Sequence, residues 1–138
     1  MLSRRGALLS GLSFVGLAAV GAVAAPGPGF FTPYDKAGFA KAGAGGQTLL
    51  VHVHADWCST CQAQKSVLNE LLTEPAFKNL VPIVVNYDTD AEFKTAYRTP
   101  NRSTILLFRN GKEIGRVGGV TDKDDIKAFL VTTLEKSA

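Results

Sequence analysis

The chain has 138 residues, of which 46% are hydrophobic and 20% are charged; this length and composition predict one globular domain and exclude wholesale disorder. Its two cysteines are too few for a disulfide-rich scaffold or for a zinc site of four cysteines. Arg4 and Arg5 account for two of the 15 basic residues, and the other 13 face 12 acidic ones. This balanced charge gives no reason to expect nucleic-acid binding.

Residues 1–24 are predicted to be an export signal. Arg4 and Arg5 precede an uncharged run, and Ala22-Val23-Ala24 is the small-x-small pattern that signal peptidase accepts. The paired arginines followed by Leu8-Leu9 are similar to a twin-arginine signal. We expect cleavage after residue 24 and a periplasmic mature protein, in a compartment that permits disulfides. The alternative is an uncleaved N-terminal membrane anchor, because an uncharged run of about 20 residues can cross a bilayer.

Residues 25–34 are predicted to be a linker, because Pro26-Gly27-Pro28-Gly29 is typical of linker composition. The folded domain is predicted to occupy residues 35–138. Its first helix is expected over residues 35–41, with the glycines at 43, 45 and 46 as the stop. The next segment, Thr48–His54, is rich in β-branched residues and predicts an inner strand.

A helix is predicted from Cys58 to Pro75, which marks its end. Its apolar face is formed by Val67, Leu68, Leu71 and Leu72. A second buried strand is predicted over residues 81–87. The segment Thr89-Asp90-Ala91-Glu92 has the spacing of a capping box and predicts a short helix through about Tyr97.

Two short strands, over residues 104–108 and 113–117, are predicted on either side of Asn110-Gly111, a strong signal for a tight hairpin turn. Thr121 is then predicted to cap the last helix. The apolar face of that helix is formed by Ile126, Phe129, Leu130 and Leu134. The element order predicts an α/β fold: a mixed central sheet, with parallel strands and a C-terminal antiparallel hairpin, and helices on both faces.

Cys58 and Cys61 lie where the strand Thr48–His54 gives way to a helix. The free N–H groups and the dipole at a helix N-terminus stabilise a thiolate, so Cys58 is expected to have a lowered pKa and to be the nucleophile. Cys61 lies nearly one turn further on, where it can attack a mixed disulfide and release the substrate. The alternatives are a static disulfide, which would constrain so short a loop little, or half of a metal site.

The segment over residues 50–72 resembles the active-site strand and helix of thioredoxins, and residues 104–112 with Val117-Gly118-Gly119 resemble the later strands of that family. The resemblance covers about residues 35–136. Ala55-Asp56-Trp57-Cys58 is also similar to the soluble thioredoxin-like domains of bacterial transmembrane thiol-reductant systems. The resemblance implies a thioredoxin-like fold and dithiol–disulfide exchange without a cofactor. It also implies that Trp57 forms a wall of the site.

Ser103 and His52 depart from the family pattern. Ser103 stands where thioredoxins usually have a cis-proline, so we expect a trans peptide and an available backbone N–H there. His52 stands where the family often has a buried aspartate, and an imidazole there could exchange protons with the resolving thiol. The alternative is a core histidine that is simply hydrogen-bonded. Asp56 is expected to cap or solvate the start of the helix.

The sequence therefore predicts an exported thiol–disulfide oxidoreductase that reduces disulfides of periplasmic proteins. A monomer is expected, with a membrane thiol transporter as its electron donor. A second hypothesis is a metal-binding or metal-delivery module, because a zinc or copper site could form from His52, His54, Cys58 and Cys61. A third hypothesis is a thiol-based binding adaptor without turnover.

Overall fold

The computed structural model describes residues 31–138. The predicted export signal, its cleavage site and residues 25–30 of the predicted linker lie outside the described residues. In chain order the elements are β1 (Thr32–Pro33), α1 (Lys36–Ala44), β2 (Thr48–His54), α2 (Ser59–Leu71), a short 3-10 turn (Pro75–Phe77), β3 (Val81–Asn86), α3 (Ala91–Ala96), β4 (Thr104–Arg109), β5 (Lys112–Gly118) and α4 (Lys123–Lys136). Between residues 31 and 138 no helix has both the length and the apolar character needed to cross a bilayer.

The five strands form one sheet in the order β1-β3-β2-β4-β5. β2 lies at its centre, parallel to β3 and antiparallel to β4, and β4 and β5 form an antiparallel hairpin. This confirms the predicted mixed sheet. His52 on β2 pairs with Val84 on one side and with Ile105 on the other, so it lies in the middle of the sheet.

Each face of the sheet has its own hydrophobic core, because side chains alternate along β2. Leu50 packs on one face with α2 and α4, whose buried core residues are Leu68, Leu71, Ile126 and Leu130. Val51 packs on the opposite face with Phe39 of α1 and Phe93 of α3. Burying one such side chain stabilises the fold by about 1.5–3 kcal/mol. The predicted apolar faces of α2 and α4 are confirmed, and helices cover both faces.

The hairpin between β4 and β5 is confirmed at the predicted turn. Asn110 and Gly111 both have positive φ angles, 52° and 74°, as a two-residue turn with the right twist requires. Gly43, predicted as part of a helix stop, instead lies inside α1. A Cβ atom on Gly43 would lie 3.1 Å from the Gly111 Cα, so its missing side chain lets the helix approach this turn. α1 therefore continues to Ala44, beyond the predicted end at residue 41.

The segment predicted as a linker contributes a strand. Thr32 and Pro33 form β1, which pairs in parallel with Ile83 and Val84 at the edge of the sheet. The ordered fold therefore begins before residue 35. A strand of two residues leaves almost no hydrophobic alternation in the sequence, which explains why the pattern did not predict it.

Both predicted threonine caps are wrong by one residue. Asp90, not Thr89, is the N-cap of α3, and its carboxylate accepts a hydrogen bond from the Asn86 N–H, so the capping box does not form. Asp122, not Thr121, caps α4, because its carboxylate accepts hydrogen bonds from two main-chain N–H groups of the first turn.

The C-terminal end of α2 also differs from the prediction. The helix ends at Leu71, four residues before Pro75. Pro75 begins the separate 3-10 turn, where the missing N–H of proline leaves no hydrogen bond unmade.

Candidate active site

Cys58 is the N-cap of α2. Its backbone is extended, and its Sγ accepts a hydrogen bond of 3.2 Å from the Cys61 N–H. The chain leaves β2 at His54 and turns through a hydrogen bond from the Cys58 N–H to the Ala55 carbonyl, which places the thiol at the first turn of the helix. Both cysteines are free thiols, and their exposed fractions are 6% for Cys58 and 0% for Cys61. The structure thus places the more accessible sulfur at the helix N-terminus, as the sequence predicts.

The surroundings of the two sulfurs separate their acidities. Burial alone would raise the pKa of the Cys58 thiol, but hydrogen bonds from Cys61, Ser103 and Arg102 outweigh it and lower this pKa to about 7. The pKa of Cys61 is raised, first by burial and then by the neighbouring Cys58 sulfur. Near neutral pH the first sulfur is therefore a partly ionised nucleophile, while the second keeps its proton.

The Ser103 hydroxyl lies between the two sulfurs. Its Oγ is 3.3 Å from Cys58 Sγ and 3.1 Å from Cys61 Sγ. The preceding peptide is trans, and the Ser103 N–H donates to the Val53 carbonyl at 2.9 Å, which confirms the expected backbone donor. Ser103 has a φ angle of 56°, a left-handed conformation that is uncommon for residues other than glycine. This conformation turns its hydroxyl toward both reacting atoms.

The Gln64 side chain hydrogen-bonds the Ser103 backbone. Its side chain is fully buried, and its Nε2 donates to the carbonyls of Ser103 at 3.0 Å and Val120 at 2.8 Å. The Gly119 N–H donates to the same Ser103 carbonyl at 2.9 Å. Sequence reasoning missed Gln64. The available signal was its position three residues after Cys61, which places it on the same side of α2 as the second thiol.

His52 contacts Gln64. Its Nε2 lies 3.0 Å from Gln64 Oε1, and since the Gln64 amide nitrogen already donates to two carbonyls, the histidine must be the donor. Burial lowers the pKa of His52 to about 4, so the ring is neutral at pH 7. A neutral ring whose proton is committed to Gln64 is poorly suited to the predicted proton exchange with Cys61. Its hydrogen bond instead supports the alternative of a paired core histidine.

The structure does not bring the residues of the alternative metal site together. His54 Nε2 lies 3.1 Å from Asp56 Oδ1, and His52 Nε2 hydrogen-bonds Gln64. The Nε2 atom of each histidine is therefore paired with a residue other than the two cysteines. Across residues 31–138 no three side chains of histidine, cysteine, aspartate or glutamate form a group that could hold a metal ion. Asp56, expected to cap the helix, contacts His54 instead, and Cys58 is the cap.

Trp57 and Arg102 stand beside Cys58 at the surface. Trp57 is 58% exposed, and its indole N–H donates to Asp88 at 2.9 Å. The Arg102 guanidinium lies 4.6 Å above the Trp57 ring and contributes to lowering the pKa of Cys58. Next to them is an open groove of about 490 Å³; its lining includes Cys58, Thr60, Arg102, Ser103, Gly118 and Gly119. Trp57 contacts Arg102, which lines this groove, and is not itself among the lining residues.

The thioredoxin family model matches residues 33–132, well over half of the chain. The chain belongs to the thioredoxin family. A thioredoxin of Chlamydia pneumoniae is 30% identical over 90 residues, which cover 65% of this chain and 82% of that protein. The crystal structure of Trxlp from Edwardsiella tarda is 39% identical, with a TM-score of 0.69 over 71% of this chain and 95% of that one. A mutant thioredoxin from Halobacterium salinarum, at 20% identity and a TM-score of 0.66, shares the fold over 78% of this chain and 93% of its own.

This thioredoxin-family protein is a thiol–disulfide oxidoreductase with two neighbouring cysteines. The family assignment agrees with the fold and the dithiol chemistry that the sequence resemblance implied. Two features of its site are not part of that resemblance. The Ser103 hydroxyl lies within hydrogen-bond distance of both sulfurs, and the buried Gln64 amide donates to the Ser103 carbonyl.

Proposed function

We propose that this protein is an exported thioredoxin-family reductase that acts on disulfides of periplasmic proteins. The proposal depends on the acidity and the position of the Cys58 sulfur. It has a pKa of about 7, the Cys58 residue is 6% exposed, and it lines an open groove of about 490 Å³. A sulfur with no groove beside it would fit the alternative of a structural disulfide.

In this proposal Cys58 attacks first. Its thiolate forms a bond to one substrate sulfur, the substrate S–S bond breaks, and the other substrate sulfur leaves with the electron pair. Cys61 then loses its proton to solvent and attacks Cys58 Sγ. The Cys58–Cys61 disulfide forms and the second substrate thiolate leaves. The substrate gains two electrons, and the protein dithiol is oxidised.

The acidity of Cys58 supports the reducing direction. A more stable thiolate makes the reduced form more stable and the couple more oxidising. Attacking cysteines have pKa values of about 7 in thioredoxins and about 3.5 in a strongly oxidising periplasmic enzyme. The pKa of about 7 for Cys58 therefore favours a couple closer to the thioredoxins.

The periplasmic location and the electron donor rest on the N-terminal sequence. The residues before the fold have the pattern of an export signal. No reducing buffer is assumed outside the cytoplasm, so an exported reductase must be recharged. We propose a membrane thiol transporter as the donor, and a monomer as the form in which the open groove meets both donor and substrate.

The dithiol reduction potential tests the direction. We expect a value near that of thioredoxins, about −270 mV, when the protein is equilibrated with defined thiol–disulfide mixtures at pH 7. We also expect catalysed reduction of insulin disulfides. A potential near about −120 mV would make the protein an oxidant and overturn the proposal. The Cys61→Ala variant, which cannot form the internal disulfide, is the matched control.

The export proposal is tested by intact-mass analysis of the protein recovered from the periplasm of an expressing bacterium. We expect a mature chain that begins at Ala25. A chain that retains residues 1–24 in the membrane fraction would favour the anchored alternative. Replacing Arg4 and Arg5 with lysine distinguishes the export pathway, because twin-arginine signals require the pair.

A further inference from the structure

We propose that the Ser103 hydroxyl is a catalytic hydrogen-bond donor that serves the two sulfurs in turn, and that Gln64 is the residue that positions it. The proposal rests on the proposed function, in which Cys58 attacks and Cys61 resolves. It assigns a positioning role to Gln64. It also explains why a serine stands where thioredoxins usually have a proline. Only a side chain with a rotatable O–H can make this exchange.

The geometry allows one continuous chain of hydrogen bonds in the dithiol form. A hydroxyl donates one hydrogen bond and can accept two. At 3.1 Å from Cys61 Sγ and 3.3 Å from Cys58 Sγ, the Ser103 Oγ can accept the S–H of Cys61 while its own O–H donates to the Cys58 thiolate. The Cys61 N–H is the second donor to that thiolate. The negative charge on Cys58 is thus stabilised before attack.

The requirement reverses after the first attack. Once Cys58 Sγ is part of a mixed disulfide it carries no negative charge, whereas Cys61 must become a thiolate to attack it. The pKa of Cys61 is raised in the dithiol form, so this second ionisation needs a donor. Rotation about the C–O bond of Ser103 directs its O–H to Cys61 Sγ without any movement of the backbone. The proton of Cys61 goes to solvent.

The backbone around Ser103 is held strongly enough to keep the hydroxyl at this place. Its N–H donates to Val53, and its carbonyl accepts from both Gly119 and Gln64. These bonds offset the cost of its left-handed conformation. The Gln64 amide is in turn fixed, because His52 donates to its oxygen and its nitrogen donates to two carbonyls. Each polar atom of the Gln64 side chain has a partner, so the amide has one favoured orientation.

Within the described residues, few titratable or charged groups face the sulfurs. Arg102 lines the groove beside Cys58 and contributes to lowering the pKa of that thiol, and Tyr87 packs against the two cysteines. Otherwise the contributors to the acidities of the two thiols are each other, Ser103 and the Ala55 backbone. From β2 the Val53 carbonyl lies 4.0 Å from Cys61 Sγ. A change in the pH profile on removing the Ser103 hydroxyl would therefore report on Ser103 rather than on another ionising neighbour.

The test uses dithiobis(nitrobenzoate), an aromatic disulfide that releases a coloured thiolate at each of the two attacks. Stopped-flow measurement on the purified reduced chain resolves the Cys58 attack and then the Cys61 attack. In Ser103→Gly, which tolerates the left-handed backbone, we expect both phases to slow by about fivefold to tenfold at pH 6.5, the effect of losing one hydrogen bond of ordinary net strength. We also expect the pH profile of the second phase to move to higher pH. Ser103→Ala repeats the test with the Cβ retained, should the glycine variant fold poorly.

Thr99→Val is the matched control for the loss of a hydroxyl. Thr99 is 1% exposed, its Oγ1 has no hydrogen-bond partner, and it contacts neither sulfur through a hydrogen bond. Both phases should keep their rates in this variant. If the second phase keeps the wild-type rate in both Ser103 variants, the hydroxyl does not serve Cys61, and the proposal is overturned even if the first phase slows.

Gln64→Leu tests the positioning residue, with Gln62→Leu on the exposed side of the same helix as its control. We expect Gln64→Leu to slow both phases and to move the second profile to higher pH, because Ser103 loses one partner. A variant that is less stable but has an unchanged pH profile would make Gln64 structural only. If the wild type shows both coloured phases but does not reduce insulin, the proposed function fails while the assignment of Ser103 stands.

Discussion

The main-chain N–H of Cys61 donates to Cys58 Sγ at 3.2 Å, so the second cysteine helps to ionise the first. With the other donors it lowers the pKa of Cys58 to about 7. We expect the rate of Cys58 alkylation by iodoacetamide to rise with pH and to reach half of its plateau near pH 7. The midpoint should lie clearly below the value of about 8.5 for a free cysteine. A midpoint at the free-cysteine value would mean that the helix N-terminus does not lower the pKa of Cys58.

Removing the resolving thiol should trap substrates. In Cys61→Ala the mixed disulfide formed through Cys58 cannot be released by internal attack, so adducts with reducible proteins should accumulate. Non-reducing electrophoresis and mass spectrometry of adducts with insulin measure this. Cys58→Ala is the control and should give few adducts. Equal adducts from both variants would mean that the assigned order of attack is wrong.

His52 predicts a loss of stability at mildly acidic pH. Its pKa is lowered to about 4 in the fold, against about 6.5 in an unfolded chain, so the unfolded state binds a proton first as the pH falls. The stability that comes from keeping this ring neutral is present above about pH 6.5 and is lost progressively toward pH 4. Between pH 7.5 and pH 5 the free energy of unfolding should fall by about 2 kcal/mol from this group.

Urea unfolding at the two pH values measures that loss. The control is His52→Met, which places an apolar side chain without a titrating group at this position. This variant should be less stable at pH 7.5, because Gln64 Oε1 loses its donor, but its unfolding free energy should vary less between the two pH values. The same pH dependence in both proteins would place the responsible group elsewhere.

Arg102 should make Cys58 more reactive toward anionic partners. Its guanidinium contributes to lowering the pKa of the Cys58 thiol, lies over Trp57 and lines the groove. In Arg102→Gln we expect the ratio of the iodoacetate rate to the iodoacetamide rate to fall by about twofold to threefold at low salt, since exposed charges act weakly. Lys112→Gln makes the same change in net charge at the opposite end of the hairpin and should keep the ratio. An unchanged ratio in Arg102→Gln would contradict this electrostatic role.

The sequence predicted the elements that have a strong local pattern. Thr48–His54 was predicted with its observed bounds, because seven consecutive strand-forming residues are unambiguous. The hairpin at Asn110 and Gly111 followed from a turn that requires positive φ angles at both residues. The helix caps were less certain, because neighbouring polar residues such as Thr121 and Asp122 can each supply an oxygen.

The part of the site that the sequence did not predict depends on contacts between distant segments. In the sequence Gln64 is an ordinary polar residue of a helix. It becomes buried only because α2 brings its amide against the loops that carry Ser103 and Val120. The sequence identified Ser103 as a departure from the family. The place of its hydroxyl between the sulfurs depends on a left-handed backbone that no local pattern specifies.

Trp57 is the single tryptophan of the chain, so the long-wavelength fluorescence of the protein comes from one indole ring. That ring is hydrogen-bonded to Asp88 and stacked under Arg102, whose guanidinium also helps to lower the pKa of Cys58. Oxidation of the dithiol removes the thiolate from this group of contacts and changes the electric field at the indole. The emission of Trp57 can therefore serve as a label-free optical signal of the redox state of the two cysteines.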